Sequence, residues 1–397
     1  MRVGIYGGTF NPPHIGHVRS AEEAAQQLML DLLVIVPVGV PPHKPLPHGS
    51  PCADIRLFMT HTAFNNIRNT IVSNIEVNNP EPSYTVDTIG VLRKIYPDSE
   101  LFLLLGTDMY MALESWKDVG TLLGMVTPAV FSRSTSDARQ ILKQSELLKK
   151  CYGADTGIVT NSVIPISSSD LREMLPNRGG VGYIKDTNYS YIIKNRLYGA
   201  KPDWNWLRER AYSMLDPKRI QHVTACETAA MSLAERWGVD PDDAREAAIL
   251  HDITKKLGLD LHLRVLEDHD VPVGTLQVAG EKLLHAKTGA VLAKAVFGVP
   301  DAVSDAIAWH TTGRAGMSRL EKVIYMADYI ESTRDFPGVA ALRRLAYENL
   351  DAATAKGLEM TIEDIKARGI APDASSTEAL EDMRKAVAGC AAARVED

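Results

Sequence analysis

The sequence predicts two folds in one chain: a parallel α/β sheet over residues 1–199 and an all-helical bundle over 204–397, joined by a linker at 200–203. Three observations predict this. At 397 residues the chain exceeds what one ordinary core organises. In the first half, short and uniformly apolar runs alternate with helical segments, the pattern of β-α-β units. Beyond Gly199-Ala200-Lys201-Pro202-Asp203 the strand-like segments vanish, and Gly and Pro together mark the break.

In chain order, Arg2 to Tyr6 reads as a short buried strand, and Gly7-Gly8 permits a turn that Cβ-bearing residues would resist. Pro12-Pro13 stiffens the loop, and Gly16 opens an Ala/Glu/Gln-rich helix to about Leu30. Asp31 to Val38 is a second strand, followed by a proline-rich loop, Gly39 to Pro51, that carries His43-Lys44. Ala53 to Arg68 is helical and Thr70 to Val77 alternates as a strand. Ser83, as N-cap, opens a helix to about Tyr96. Leu101 to Leu105 is a fully apolar strand that delivers Gly106-Thr107-Asp108, Ala129 to Arg133 is another strand, and Arg139 to Lys150 is a helix. Ligands of such sheets bind at the carboxyl ends of the strands.

Composition narrows the function classes. Hydrophobic content of 45% and charge of 23% belong to a soluble globular protein. A net charge of −7 argues against bulk nucleic-acid or acidic-membrane binding. The four cysteines, Cys52, Cys151, Cys226 and Cys390, are scattered, as reduced packing residues are. No signal-like or membrane-spanning run is present, so the expected location is cytoplasmic.

Polyphosphate chemistry is written first at residues 4–17. His14 and His17, three residues apart beside free helix N–H groups, offer a place for a polyphosphate. Lys44 lies on a loop beyond a strand end, where it is either a phosphate ligand or a solvated surface lysine. Asp108 leaves a strand end, suited to a ribose hydroxyl or a metal-bound water, or to capping the next helix. Trp116 can stack on an aromatic ring or simply pack. Ile166-Ser167-Ser168-Ser169-Asp170-Leu171-Arg172 opens a helix with hydroxyls and N–H groups, and Arg172 adds charge one turn on.

These pieces together resemble the bacterial nicotinate mononucleotide adenylyltransferases, of the nucleotidyltransferase superfamily marked by His-x-Gly-His. The resemblance rests on Gly7-Gly8-Thr9-Phe10-Asn11-Pro12, His14-x-Gly16-His17, Pro42-His43-Lys44, Ser83-Tyr84-Thr85, Gly106-x-Asp108, Trp116, Arg133 and Ile166-Ser167-Ser168 with Arg172. Tyr191-Ile192 to Leu197-Tyr198 close it, and it covers residues 1 to about 199. It implies a Rossmann-like sheet and transfer of AMP from ATP, with Mg²⁺, to nicotinate mononucleotide, releasing pyrophosphate. His14, His17, Lys44 and Arg172 would be the catalytic set. Gly7, Gly8, Thr9, Phe10, Asn11, Thr85, Gly106, Asp108, Trp116, Arg133, Ser167 and Ser168 would bind the nucleotides. Thr107 and Ser169 stand where the family commonly has Ala and Thr, mild departures.

In the second half, helices are expected at Trp204–Leu215, Ile220–Trp237, Pro241–Lys256, Lys282–Phe297, Asp301–Trp309, Ser318–Ile330, Gly338–Ile365 and Ser376–Val395. Isolated polar residues punctuate them: His222, His251-Asp252, His285, His310 and Asp328. One such His is commonly a core or capping residue, but a carboxylate within an apolar helix needs a partner. Five helices each giving an imidazole or carboxylate can build a dinuclear metal site. His43, His48, His61, His262 and His269 fit neither set and read as surface or loop residues.

This second pattern resembles the HD-domain phosphohydrolase superfamily. Ala-x-Leu-His251-Asp252-Ile-x-Lys255, His285-Ala, Trp309-His310-Thr311-Thr312-Gly313 and Ala327-Asp328 with Arg334 look like its YqeK-like branch, the symmetrical diadenosine tetraphosphate hydrolases. The resemblance implies an HD-domain helical bundle with a dinuclear metal centre, iron by expectation, that hydrolyses diadenosine tetraphosphate to two ADP. His222, His251, Asp252 and Asp328 would hold one metal, and His285, His310 and Asp252 the other. Lys255 would act in catalysis, with Thr311 and Arg334 on the phosphate chain.

The expected partners are therefore ATP, nicotinate mononucleotide and diadenosine tetraphosphate, with no nucleic acid and no membrane; a homodimer stays open. The alternatives are a first half that prefers nicotinamide mononucleotide, and a second half that is another nucleotide phosphohydrolase or a nucleotide sensor without turnover.

Overall fold

A computed structural model describes residues 1–42, 45–132, 135–162, 164–272 and 281–393. The chain forms two compact units, Met1–Pro202 and Asp203–Asp397.

The first unit is built on six parallel strands: β1 (Arg2–Gly8), β2 (Leu32–Pro37), β3 (Thr70–Val72), β4 (Glu100–Gly106), β5 (Thr127–Ser132) and β6 (Gly157–Thr160). Their order is β3-β2-β1-β4-β5-β6. Apolar runs rather than alternation mark the inner strands β1, β2, β4 and β5, because both their faces are covered. In β4, Leu101, Leu103 and Leu105 enter one core while Phe102 and Leu104 enter the other; Val34 and Leu33 divide β2 in the same way. Ile5 of β1 lies between Val34 and Leu103. The chain steps outward from β1 to β3 and then crosses back to β4. The carboxyl ends of β1 and β4 therefore flank the switch point, where this class of sheet binds ligands.

Several local expectations change. Gly7 and Gly8 belong to β1, and the left-handed residue of the following turn is Phe10, at φ 45°. A Cβ on Gly8 would stand 3.1 Å from the Phe10 ring, whereas one on Gly7 would meet nothing nearer than 4.0 Å. β3 stops at Val72 rather than Val77. The helix expected from Ala53 to Arg68 ends at Phe64. Ser83 does not cap: Tyr84 precedes the helix Thr85–Ile95, and the Ser83 hydroxyl accepts from Asn79 instead. β6 was not expected.

The second unit is helical: Trp204–Ser213, Pro217–Trp237, Pro241–Leu250, Leu259–Glu267, Glu281–Phe297, Asp301–Ala308, Arg319–Ile330, Val339–Glu348, Leu350–Ala367 and Ala374–Ala393. Asp203, Asp216, Asp240 and Ser318 accept first-turn N–H groups, so side-chain caps fix these starts. The helix expected to reach Lys256 ends at Leu250, which places His251-Asp252 in a turn. Asn349 divides the single helix expected from Gly338 to Ile365, its side chain capping the second piece. Among the described residues, no helix is long and apolar enough to cross a membrane.

Candidate functional sites

In the first unit, β1 hands over to the helix Ile15–Gln27 with His14 at its N-cap. The His14 N–H donates to His17 Nδ1 at 3.2 Å, and the two rings stack with centroids 3.7 Å apart. Gly16 makes this possible, because a Cβ there would stand 2.9 Å from His14 Nδ1. His14 and His17 line a cavity of about 400 Å³ with Ser20, Asn161, Ser167 and Ser168. A second cavity, about 550 Å³, opens over β1 and β4 and is lined by Gly7, Gly8, Thr9, Asn11, Thr85, Gly106, Trp116 and Arg172 among others. Tyr6, Ser167 and Ser168 border both. One cavity thus holds imidazoles beside a helix N-terminus, and the other holds an indole beside glycines.

Phe10, expected on the nucleotide, is buried instead. Its ring packs edge-on against Tyr6, His17 and Phe64, so it supports the His17 ring from behind. Asp108 is exposed in the short helix Thr107–Met111 beyond β4. Lys44, Arg133 and His43 lie outside the described residues.

The loop Thr9–Pro12 is held by its carbonyls. Arg172 Nη1 donates to Asn11 O at 2.6 Å, and Ser168 Oγ to Pro12 O at 2.8 Å. Both residues, expected on phosphate, also brace the loop. Tyr198 donates to Asn11 Oδ1, and Asn11 Nδ2 to Ser50 Oγ. Sequence reasoning missed the strongest brace. The fully buried Arg56 guanidinium donates to Thr9 O at 2.9 Å, Val38 O at 2.6 Å and Gly39 O at 2.9 Å. The signal was available: Arg56 shares a helical stripe with the buried Met59, Thr60 and Ala63. Burial lowers the Arg56 guanidinium, but arginine keeps its proton in the physiological range. Also in this cavity wall, burial pushes the Glu76 carboxyl upward against an opposing hydrogen bond from Thr88 at 2.7 Å.

In the second unit, three helices and two turns bring the six expected ligands together. His222 Nε2 lies 3.1 Å from Asp328 Oδ1 and 3.8 Å from Asp252 Oδ2. His251 Nε2 is 3.5 Å from the same Asp252 oxygen. The other oxygen, Oδ1, is 3.2 Å from His285 Nε2 and 3.8 Å from His310 Nε2. Asp252 therefore faces both halves of the cluster. The ring orientations are set from outside. His251 Nδ1 donates to Ala248 O and His310 Nδ1 to Ile307 O, each at 2.7 Å, while His222 Nδ1 meets Glu331 Oε1 at 3.1 Å. With Nδ1 protonated, Nε2 of His251 and His310 presents a lone pair inward.

Electrostatics keeps these groups in metal-binding form. Burial lowers His251, with Asp252 and Asp328 opposing, and takes His310 well down with help from His251 and His285. Burial works against ionising Asp252 and Asp328, yet the surrounding imidazoles, Lys255 and Arg334 hold both carboxyls well below the usual range. His251 Nε2 is buried without a hydrogen-bond partner. Imidazole and carboxylate donors converging at these distances fit a divalent metal.

Lys255, expected in catalysis, lies on the cluster: its Nζ is 2.8 Å from His285 Nε2 and 3.5 Å from Asp252 Oδ1. Arg334, expected on phosphate, donates to Asp328 Oδ1 at 2.6 Å, and Arg219 pairs with Asp252. Thr311 is half-buried in the turn after His310. Glu331 was missed, although it stands one turn beyond Asp328. His262, expected at the surface, is buried on the helix Leu259–Glu267. It bonds Thr288 Oγ1 at 2.8 Å, behind the His285 helix.

Residues 5–174 match the cytidylyltransferase-like family, and residues 219–333 the HD domain family. The probable nicotinate-nucleotide adenylyltransferase of Carboxydothermus hydrogenoformans is 33% identical over 198 residues, spanning 50% of this chain and 98% of that relative. Through its first half, the chain belongs to the nicotinate-nucleotide adenylyltransferase family. A second such adenylyltransferase relative, the probable enzyme of Borreliella afzelii, is also 33% identical, over 51% of this chain and 98% of its own. The second half of this adenylyltransferase-family chain is similar to a solved structure of a predicted HD superfamily hydrolase involved in NAD metabolism from Clostridium acetobutylicum. Identity is 33% and the TM-score 0.45, with 46% of this chain and 97% of that one covered.

Proposed function

We propose that the chain is a bifunctional enzyme. Its first unit transfers AMP from ATP, entering as the Mg²⁺ complex, to nicotinate mononucleotide; its second hydrolyses diadenosine tetraphosphate symmetrically to two ADP. The observation that carries the first reading is the pair of adjoining cavities sharing Ser167 and Ser168, one with His14 and His17, the other with Trp116 and Thr85. In this reading the pyridine ring rests by Trp116, and the 5′-phosphate of the mononucleotide attacks the α-phosphorus of ATP near the two imidazoles. His14, His17 and the first-turn N–H groups stabilise charge on the phosphates, with Arg172 and Lys44 adding positive charge. No side chain need form a covalent intermediate, so rate comes from positioning and preorganised charge.

The second reading is carried by six inward-facing donors with Asp252 shared between them. His222, His251, Asp252 and Asp328 would hold one metal, and His285, His310 and Asp252 a second, iron by proposal. When bound, such a pair supplies Lewis-acid activation of water for attack on a phosphoanhydride. Glu331, Ala248 and Ile307 keep the imidazoles aimed, and Lys255 and Arg334 supply positive charge beside the phosphate chain.

Substrate profiling tests both halves. The purified chain is offered ATP with nicotinate or nicotinamide mononucleotide, and separately diadenosine tetraphosphate with Fe²⁺, Mn²⁺ or Co²⁺. Deamido-NAD from the acid and ADP as the sole product from the tetraphosphate are expected. A preference for the amide overturns the first assignment, and ATP plus AMP as products overturns the second.

A further inference from the structure

Cys226 stands one helical turn after His222 on Pro217–Trp237, and the phosphohydrolase chemistry above leaves it unused. It is 1% exposed. Its sulfur lies 3.5 Å from His222 Nε2, the same nitrogen that faces Asp328 Oδ1 at 3.1 Å. One donor atom from each of His222, Cys226, His251 and Asp328 lies within 4.8 Å of all the others. Independently, the buried Nε2 of His251 is aimed into this group with no hydrogen-bond partner. The thiol's contact with a backbone carbonyl, Ala327 O, is long at 3.9 Å.

We propose that Cys226 is a sulfur ligand of the metal held by His222, His251 and Asp328, which rests on reading the second unit as a metal centre. The separations suit it. Metal–sulfur and metal–imidazole bonds of about 2.3 and 2.0–2.1 Å at a tetrahedral angle put sulfur about 3.5 Å from nitrogen. His222 and Cys226 at i and i+4 lie on one helix face, so a single α-helix presents both to the ion. A thiolate shifts the site toward softer ions, Fe²⁺, Co²⁺ and Zn²⁺ over Mn²⁺ and Mg²⁺. It also gives this one half of the centre a group that oxidants can remove.

The test uses the full-length chain with Cys52, Cys151 and Cys390 replaced by serine, stripped of metal and titrated with Co²⁺. Uptake is expected to raise an intense near-ultraviolet thiolate-to-cobalt band together with the weaker visible bands. Cys226→Ala and Cys226→Ser should lose the first and keep the second. Preference for Zn²⁺ over Mn²⁺ should fall about tenfold or more in both variants. X-ray absorption of the unsubstituted cobalt protein, which needs no variant, should show sulfur scattering, about half a sulfur per cobalt when both metal positions are filled. Visible bands with an ultraviolet spectrum indifferent to Cys226→Ala would make the sulfur a packing atom and leave the metal centre standing. No Co²⁺ uptake by any form would overturn the centre and this ligand together.

Discussion

At His251 the backbone has settled the chemistry of the ring: Nδ1 is committed to Ala248 O, so only Nε2 can serve the cluster. Asp252 is the more exposed to mutation because each of its oxygens faces different imidazoles. Asp252→Asn should therefore lower tetraphosphate hydrolysis by a thousandfold or more and reduce bound metal per chain, read by elemental analysis. In the first unit, His17→Ala removes a group proposed to stabilise charge and should cut kcat about 10²–10³-fold with little change in KM. A matching rise in KM with kcat intact would reassign His17 to ground-state binding. Glu76 offers a pH test. Its folded carboxyl titrates above the unfolded one because burial penalises the charge. The folded chain then holds the proton longer, so stability falls as pH rises from the ordinary carboxylate value through the raised one. Glu76→Gln should raise Tm at neutral pH and make no gain near pH 4; an equal gain at both would assign the effect to something other than ionisation.

At the scale of elements, the helix Ala53–Phe64 acts through one side chain. Arg56→Met would leave the carbonyls of Thr9, Val38 and Gly39 without their donor, at about 1–3 kcal/mol for each buried group left unpaired. The expected outcome is a lowered Tm and a KM for the mononucleotide raised at least tenfold, with Arg56→Lys recovering part of the Tm and little of the KM. Arg56 also shows where sequence reading ends. β1, β2 and β4 were legible because burial on two faces writes an unbroken apolar run. β6 was not, since in Gly157–Thr160 only Val159 is buried and four residues carry no period. The six candidate ligands of the second unit stood out as polar groups in apolar surroundings, but Glu331 drew no reading and His262 read as a surface or loop residue. Their roles depend on packing partners 109 and 26 residues away. For Phe10, whose place inside a nucleotide motif suggested ligand contact, the sequence did not show that the ring packs into the core beside a left-handed backbone.

For the whole molecule, each unit has its own core and its own site, Met1–Pro202 and Asp203–Asp397. Calorimetry of the intact chain should resolve two transitions, and a chelator should lower only the one belonging to residues 203–397, because binding stabilises what it binds. A single transition moved as one by chelator would mean the units unfold together. The carbonyl clamps on Thr9–Pro12 have a consequence for synthesis. The loop leaves the ribosome before its holders, which arrive at Arg56, Ser168, Arg172 and Tyr198. At about 5–20 residues per second, some 10–40 s separate the making of the loop from the making of its last brace. Until then, the nascent chain carries a nucleotide motif whose main-chain groups have no fixed geometry. Translation-arrested chains ending at residue 165 should bind neither substrate, and competence should appear only once residue 198 has cleared the exit tunnel.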